Sequence, residues 1–427
     1  MKRFLVLILA AALLLSAASA VAGAETTKIH FANYWSENEI AKGGAYFSEY
    51  LTPQTNLEIV FDYYPFESFT AKMISKIAAG DPSDLVLCNG DMLSAFVEKD
   101  LIMPIDEFLE RDGISFDHFY GIDEFTFNGK VMGLPSWYGA WYFYVNVDLF
   151  KQAGIEVPSG EWTFDQLREY AKKLTNPEKG IWGFVNEHSD SPKHWYPLNG
   201  GAPFSDDMST CTINSPEVVD AMQFLTDMIY VDKSTTEPSQ YASAPADQLF
   251  GNWQAAILFG GACNTGIYRW NKDDIDFEWD VIYPPTGPDA EKPTTHARSS
   301  GIFIPKNAKN PELSWEVMKF WSQPQSLIAL DIGALASMPA SQECTDMEAY
   351  YTYPDELPKG LTKEFVTDLS TNWAKYLPYI HYTMDNSILN ALDGLNAITS
   401  ENRDAQEVCD EVYEEIMANS DSIKKIG

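Results

Sequence analysis

Apolar positions recur along this chain with two periods. Lys28-Ile29-His30-Phe31-Ala32 alternates as a half-buried strand does, and Leu57-Glu58-Ile59-Val60-Phe61 alternates again. Phe69 to Ala79 instead carries apolar residues at helical spacing until Gly80 stops it, and Asp84-Leu85-Val86-Leu87-Cys88 is apolar almost throughout, as a buried parallel strand is. Strand, helix and strand at this pitch predict an α/β lobe.

Further along, end signals mark the helices. Thr163 followed by Gln166 forms a capping box ahead of Phe164, Leu167, Ala171 and Leu174, which share one face. Ser215-Pro216-Glu217 opens a helix running to about Tyr230, and Asn310-Pro311-Glu312 repeats the device before Leu313, Val317 and Phe320. A last helix from about Asp404 to Met417 sets Val408, Val412 and Ile416 on one side. The segment Tyr283 to Pro288, rich in proline, reads as a connection suited to crossing between lobes.

One stretch fits neither period simply. Six of the eight residues from Trp137 to Tyr144 are aromatic. On a strand, Trp141, Phe143 and Val145 share one face and Tyr142, Tyr144 and Asn146 the other, so flanking helices would take at least one set as core.

Composition narrows the possibilities. Met1-Lys2-Arg3, an apolar run from Phe4 to Leu15 and the small residues around Ala18-Ser19-Ala20 read as a signal peptide over residues 1–24. No cysteine lies near it to carry a lipid, so an exported protein, periplasmic or extracellular, is expected. Roughly 400 residues follow, more than one core usually serves, which predicts two lobes. With 62 acidic against 29 basic side chains, the surface repels nucleic acid and anionic membrane. The five cysteines are scattered, without a CxxC pair, and suit buried thiols, with one disulfide possible.

Catalytic signatures are missing: there is no HExxH, GxSxG, Walker-type GxxxxGK or GxGxxG. His188 and His194 lack ligand spacing, and Asp273 to Glu278 lacks the glycine of a calcium loop, so neither a metal nor a cofactor is expected. Acidic residues are too numerous for counting to exclude a glycosidase pair. Tyr142 and Tyr144 could in principle ligate ferric iron, but no histidine or carboxylate set completes such a site.

Several segments then fall into a familiar order. Ala79-Gly80-Asp81-Pro82-Ser83-Asp84-Leu85-Val86, Phe127-Asn128-Gly129-Lys130-Val131-Met132-Gly133-Leu134-Pro135, Tyr144 to Ile155, Trp162 to Leu167, Gly301-Ile302-Phe303-Ile304-Pro305-Lys306-Asn307-Ala308, Ala334 to Pro339 and Leu392-Asp393-Gly394 together resemble the family 1 extracellular solute-binding proteins. These are the sugar-type binding proteins of ABC importers, the group that includes maltose-binding protein. The chain departs from the family's pattern at Trp253, where glycine is usual, and at Tyr144-Val145-Asn146.

The resemblance implies a two-lobed, periplasmic-binding-protein-like α/β fold of type II, with a ligand cleft between lobes joined by a hinge of several crossovers. One lobe would comprise residues 25–136 plus 286–340, the other 137–285 plus 341–427. It also implies a monomer that binds without catalysis, takes up a small solute of carbohydrate type and hands it to ABC permease subunits. A polyol, a polyamine or a metal ion is the alternative solute, and an exported glycoside-active enzyme the alternative class.

Loops at the carboxyl ends of strands bind ligands in α/β crevices. They nominate Tyr34, Trp35 and Ser36 after the first strand, Glu67 after the second, and Asn89 and Asp91 after the third. Asp91 matches a loop where the family commonly places a carboxylate on sugar hydroxyls; it could equally cap the helix beginning at Met92. The second lobe nominates Trp195, as cleft wall or as packing within its own lobe, and Asn264 beside the bare backbone of Gly260-Gly261. Arg298 would suit an acidic sugar or an internal ion pair, and Tyr382 and Asn386 stand where the family often has another aromatic. Within the aromatic run, Trp137 and Tyr138 are expected at the hinge facing the cleft, with Trp141 to Tyr144 holding the second lobe together.

Overall fold

The structure, a computed structural model, describes residues 26–187, 194–242, 244–270, 272–332, 338–352, 358–376, 378–384 and 386–426. The leader reading, His188 and most of the Ala334 to Pro339 motif lie outside the described residues.

The principal strands are β1 (Thr27–Asn33), β2 (Leu57–Tyr63), β3 (Leu85–Asn89), β4 (Leu134–Asn146), β5 (Trp182–Asn186), β6 (Ala255–Gly261), β7 (Trp279–Ile282) and β8 (Thr295–Phe303). They form one mixed sheet in the order β2-β1-β3-β8-β4-β6-β5. The first three strands run parallel, as the apolar run of β3 predicts, and β5 and β6 run parallel in the second lobe. Joining them are β8 and β4, which pair antiparallel.

Strand β4 is the physical link between lobes. Its Leu134 to Ala140 stretch pairs with β8, and its Trp141 to Val145 stretch pairs with β6. Thirteen residues at about 3.3 Å each reach roughly 40 Å, enough to serve both lobes without a break. The short strand Ala374–Lys375 pairs with the beginning of β8, adding a third stretch of chain at this level.

Helices form where the caps place them. Thr163 caps Phe164–Leu174 reciprocally with Gln166, burying Phe164, Leu167, Ala171 and Leu174. Such a cap is worth about 1 kcal/mol. Pro216–Tyr230 and Pro311–Trp321 begin at their prolines, and Ala405–Ala418, capped by Asp404, buries Val408, Val412 and Ile416. The third-strand loop differs from expectation. The helix Gly90–Glu98 begins one residue before Asp91 with Asn89 at the N-cap, so Asp91 lies in the first turn and is not the cap.

Alternation divides the aromatic run between two cores. Trp141, Phe143 and Val145 pack with Phe164, Trp195, Val408 and Ile416, whereas Tyr138, Tyr142 and Tyr144 join Phe31, Trp315, Trp321 and Phe365 on the other side. Phe143 stacks on Phe259 at 4.9 Å, and the Tyr144 hydroxyl donates to the Gly261 carbonyl at 2.8 Å. All five cysteines are free thiols. No helix among the described residues is long and apolar enough to cross a membrane.

Candidate functional site

Pairing registers bring the carboxyl ends of both lobes' strands to one stretch of β4. Asn89, ending β3, faces Ser300 of β8, which faces Trp137. Two residues on, Gly139 faces Arg298, and two further on Trp141 faces Gly261 at the end of β6. Four residue steps, about 13 Å of strand, separate the end of one lobe's loops from the start of the other's.

Solvent reaches the crossing strands at one place. Of the 13 residues of β4 only Trp137 is not buried, and of the nine of β8 only Arg298 is not. The two half-buried side chains are neighbours: the Arg298 guanidinium carbon lies 5.9 Å from the Trp137 ring centroid and 5.3 Å from that of Trp141. Glycine leaves room for this ring position, since a Cβ on Gly139 would come within 2.7 Å of the Trp137 ring.

The second lobe adds Glu187 and Asn264 beyond the ends of β5 and β6. Glu187 Oε2 accepts from the Gly261 N–H at 2.6 Å and from Asn264 Nδ2 at 3.0 Å. A Cβ on Gly260 would meet both groups, at 2.5 Å and 2.9 Å, so this corner depends on bare backbone. Desolvation pushes the Glu187 carboxyl up to about 7, against the opposing pull of the Gly261 N–H, Asn264 and Arg298. Burial also pushes the adjacent Cys263 thiol up to about 12, which leaves it protonated and unreactive at neutral pH.

From the first lobe comes a hydrogen-bonded row. Asn89 Oδ1 accepts from the Tyr34 hydroxyl at 2.8 Å and from Ser300 Oγ at 2.5 Å. Behind it, Glu124, 3% exposed, accepts from the Ser299 N–H at 2.6 Å. Tyr34 in turn packs edge-on against Phe66, 49% exposed, so aromatic surface continues outward from the row.

A second opening lies nearby, a cavity of about 260 Å³ lined by Ser94, Ala95 and Glu98 of the Gly90–Glu98 helix and by Tyr379, Tyr382 and Leu389. Tyr382 is half-buried, and its hydroxyl donates to the Asp207 carbonyl at 3.4 Å. Asp91 precedes Ser94 by one helical turn, and Asn386 begins the helix Asn386–Gly394; the side chains of both lie outside the described residues.

Of the residues nominated from sequence, Trp137 and Arg298 therefore meet solvent at the crossing strands and Tyr34 is half-buried beside them, whereas Asn89, 4% exposed, and Asn264, 0% exposed, are buried supports of the same region. Others sit elsewhere. Trp35, 6% exposed, is held edge-on by Phe31 at 5.1 Å and beside Trp321 at 5.7 Å, inside the first lobe's core. Trp195 is fully buried, its Nε1 donating to the Ala221 carbonyl and its ring stacked on Phe164. Tyr138 points away from Trp137, as alternate strand residues must, and its hydroxyl donates to the Leu369 carbonyl. Ser36 caps the helix Glu37–Tyr46 in a capping box with Glu39, and Glu67 lies in the first turn of Phe66–Ala78.

Sequence reasoning missed Glu187, Glu124 and Ser300. Glu187 follows the strand Trp182–Asn186 directly, so the rule that selected Asn89 would have selected it as well. Ser300 carries no local signal because antiparallel pairing across distant sequence places it, and Glu124, in the short helix Ile122–Phe125, none because its partner Ser299 lies 175 positions away.

The same arrangement of strands is found in proteins of known structure. The chain superposes on an ABC substrate-binding protein of Listeria monocytogenes, solved in complex with cycloalternan, with a TM-score of 0.77 at 22% identity, covering 93% of this chain and 99% of that one. It superposes on the maltose-bound T. maritima MalE3 with a TM-score of 0.76 at 17% identity, covering 92% and 100%. Among sequence relatives, a putative binding protein of Brucella abortus is 25% identical over 66% of this chain and 70% of its own length. A maltotriose-binding protein of Pyrococcus abyssi is 23% identical over 69% and 63%. Residues 38–327 match the model of the bacterial extracellular solute-binding proteins, and with that span, more than half its length, this chain belongs to that family.

Proposed function

We propose that this protein captures a sugar or oligosaccharide between its two lobes and delivers it to the permease of an ABC importer. The division into residues 25–136 plus 286–340 and 137–285 plus 341–427, a monomeric state and export to the cell envelope belong to the same reading. The observation that carries it is the single opening in the crossing strands at Trp137 and Arg298, flanked by the Asn89 row and the Glu187–Asn264 corner. A pyranose has C–H faces and a rim of hydroxyls; an indole face with carboxylate, amide and guanidinium groups at its edge matches both. Ring contact adds on the order of 0.5–1.5 kcal/mol beyond area burial, by analogy with aromatic pairs, and each hydrogen bond a similar amount. Only their sum gives useful affinity.

Mechanistically, a ligand touching both lobes favours the closed form by its differential affinity for it, and the permease reads that closed form. The families and ligands of the similar proteins support this reading, with maltotriose, cycloalternan and arabinooligosaccharides in the names of several. Thermal denaturation of the mature protein against mono- and oligosaccharides, polyols, polyamines and metal ions tests it. A saccharide that raises the midpoint and is recovered unhydrolysed is the expected result. A shift only with a non-sugar solute, or turnover of the sugar, would overturn it.

A further inference from the structure

We infer that the ligand carries an oxyanion, a carboxylate or a sulfate ester on a sugar, which Arg298 binds at the floor of the cleft. This inference rests on the sugar-binding reading and narrows it.

The setting of Arg298 is unusual for this chain. Acidic side chains outnumber basic ones by 62 to 29, so a carboxylate is within easy reach of almost any arginine. Arg111 holds Asp112 and Glu312, Arg168 holds Asp232, and Arg403 holds Glu411 and Glu407. The Arg298 side chain forms no ion pair and no hydrogen bond with any described residue, and its Nε is buried without an acceptor. A buried donor left unsatisfied is costly, so its persistence points to an acceptor supplied from outside.

Its orientation is built. Trp137 and Trp141 hold the guanidinium between their rings at 5.9 Å and 5.3 Å, and Gly139 across the ladder clears the space that the Trp137 ring occupies. Rings attract the cation without consuming its in-plane donors, which stay available as a fork of the shape a carboxylate or sulfate fills. Glu187, whose carboxyl is raised by desolvation and lowered by the Arg298 charge, is already engaged by the Gly261 N–H and Asn264.

A neutral hydroxyl would satisfy the donor but leave the charge uncompensated, and charge-assisted bonds are roughly twice as strong. A polyamine or metal ion would meet an unneutralised positive charge. The overall charge of −33 does not forbid an anion here, because surface charges beyond about 8 Å are largely screened at physiological salt, while a desolvated contact is not.

The test is calorimetric titration of the wild-type mature protein with three matched sets of probes: neutral disaccharides, uronate-containing disaccharides and sulfated disaccharides. The expected result is at least tenfold tighter binding of one charged set, the tighter set naming the anion. Arg298→Gln should weaken the charged ligand at least tenfold more than its neutral counterpart, with Arg298→Lys intermediate because it keeps charge but loses the fork. Unliganded melting midpoints of both variants separate lost folding from lost binding. Equal affinity of neutral and charged sugars for the wild type, or equal loss of both in the Gln variant, overturns the anionic assignment and leaves sugar binding standing. Binding of no saccharide of any set overturns the sugar-binding reading itself, and the inference with it.

Discussion

Glu187 should make the second lobe's stability depend on pH with a sign opposite to that of an ion-paired carboxylate. Its carboxyl is raised from 4.5 to about 7, chiefly by desolvation. A folded pKa above the unfolded one means that the group's contribution is complete below pH 4.5 and is lost as pH rises through 7. The difference of about 2.5 units, at 1.36 kcal/mol each, amounts to on the order of 3 kcal/mol by pH 8. Glu187→Gln removes the titration but keeps an acceptor oxygen for the Gly261 N–H and for Asn264, whose bonds both reach a single oxygen. The variant should match the wild type near pH 4 and exceed it progressively to pH 8. Urea denaturation of both proteins at half-unit pH intervals, read as the difference between them, isolates this group from the many other carboxylates. A difference that stays flat from pH 4 to 8, or that favours the wild type at high pH, would refute the reasoning.

Three further outcomes follow from side chains placed away from the expected roles. Trp35→Ala should lower unliganded stability by about 3–5 kcal/mol in chemical denaturation, because the ring fills the core between Phe31, Phe61 and Trp321; selective loss of binding with stability intact would contradict that placement. Trp253 adopts φ 64°, the left-handed region, which accounts for the glycine usual in the family, so Trp253→Gly should be about 1 kcal/mol more stable than Trp253→Ala, reversing the ordinary order of those two residues. Asp331 is fully buried, and desolvation holds its carboxyl well above the usual range; its stabilising share is present at acid pH and lost on raising it, so Asp331→Asn should melt higher than wild type at pH 8, with the gap closing toward pH 4.

Local patterns made much of this fold legible. The capping box at Thr163, the proline starts at 216 and 311 and the faces of the last helix each depend on residues within a turn or two, and each element forms there. The strand-end rule led to Tyr34, Asn89 and Asn264 for the same reason. What failed was orientation. Trp35 follows a strand as a cleft residue would, but its ring turns into the core against Trp321, far away in sequence, as well as against nearby Phe31; Trp195 takes the packing within its own lobe that stood open beside the cleft role, against Phe164 and Phe224. Ser300 meets Asn89 across 211 positions of sequence, and no local pattern reveals such a pairing.

The aromatic run shows how one strand can serve two lobes and a ligand together. Period-two alternation sends Tyr138, Tyr142 and Tyr144 into one core and Trp141 and Phe143 into another, so the strand is clamped on both faces along its second half. Trp137 escapes only because Arg298 and Gly139 stand beside it, one taking its face and the other making room. Replacing Gly139 by alanine would place a Cβ within 2.7 Å of that ring, while the strand's extended backbone accepts alanine without strain. The ring must then move off the guanidinium, and the expected result is at least tenfold weaker binding of whichever saccharide the wild type takes, with the unliganded midpoint changed by no more than the ~1 kcal/mol of a modest repacking. Unchanged affinity would mean that the opening at Trp137 is not where the ligand sits, and the site would have to be sought instead at the cavity between the Gly90–Glu98 helix and Tyr382.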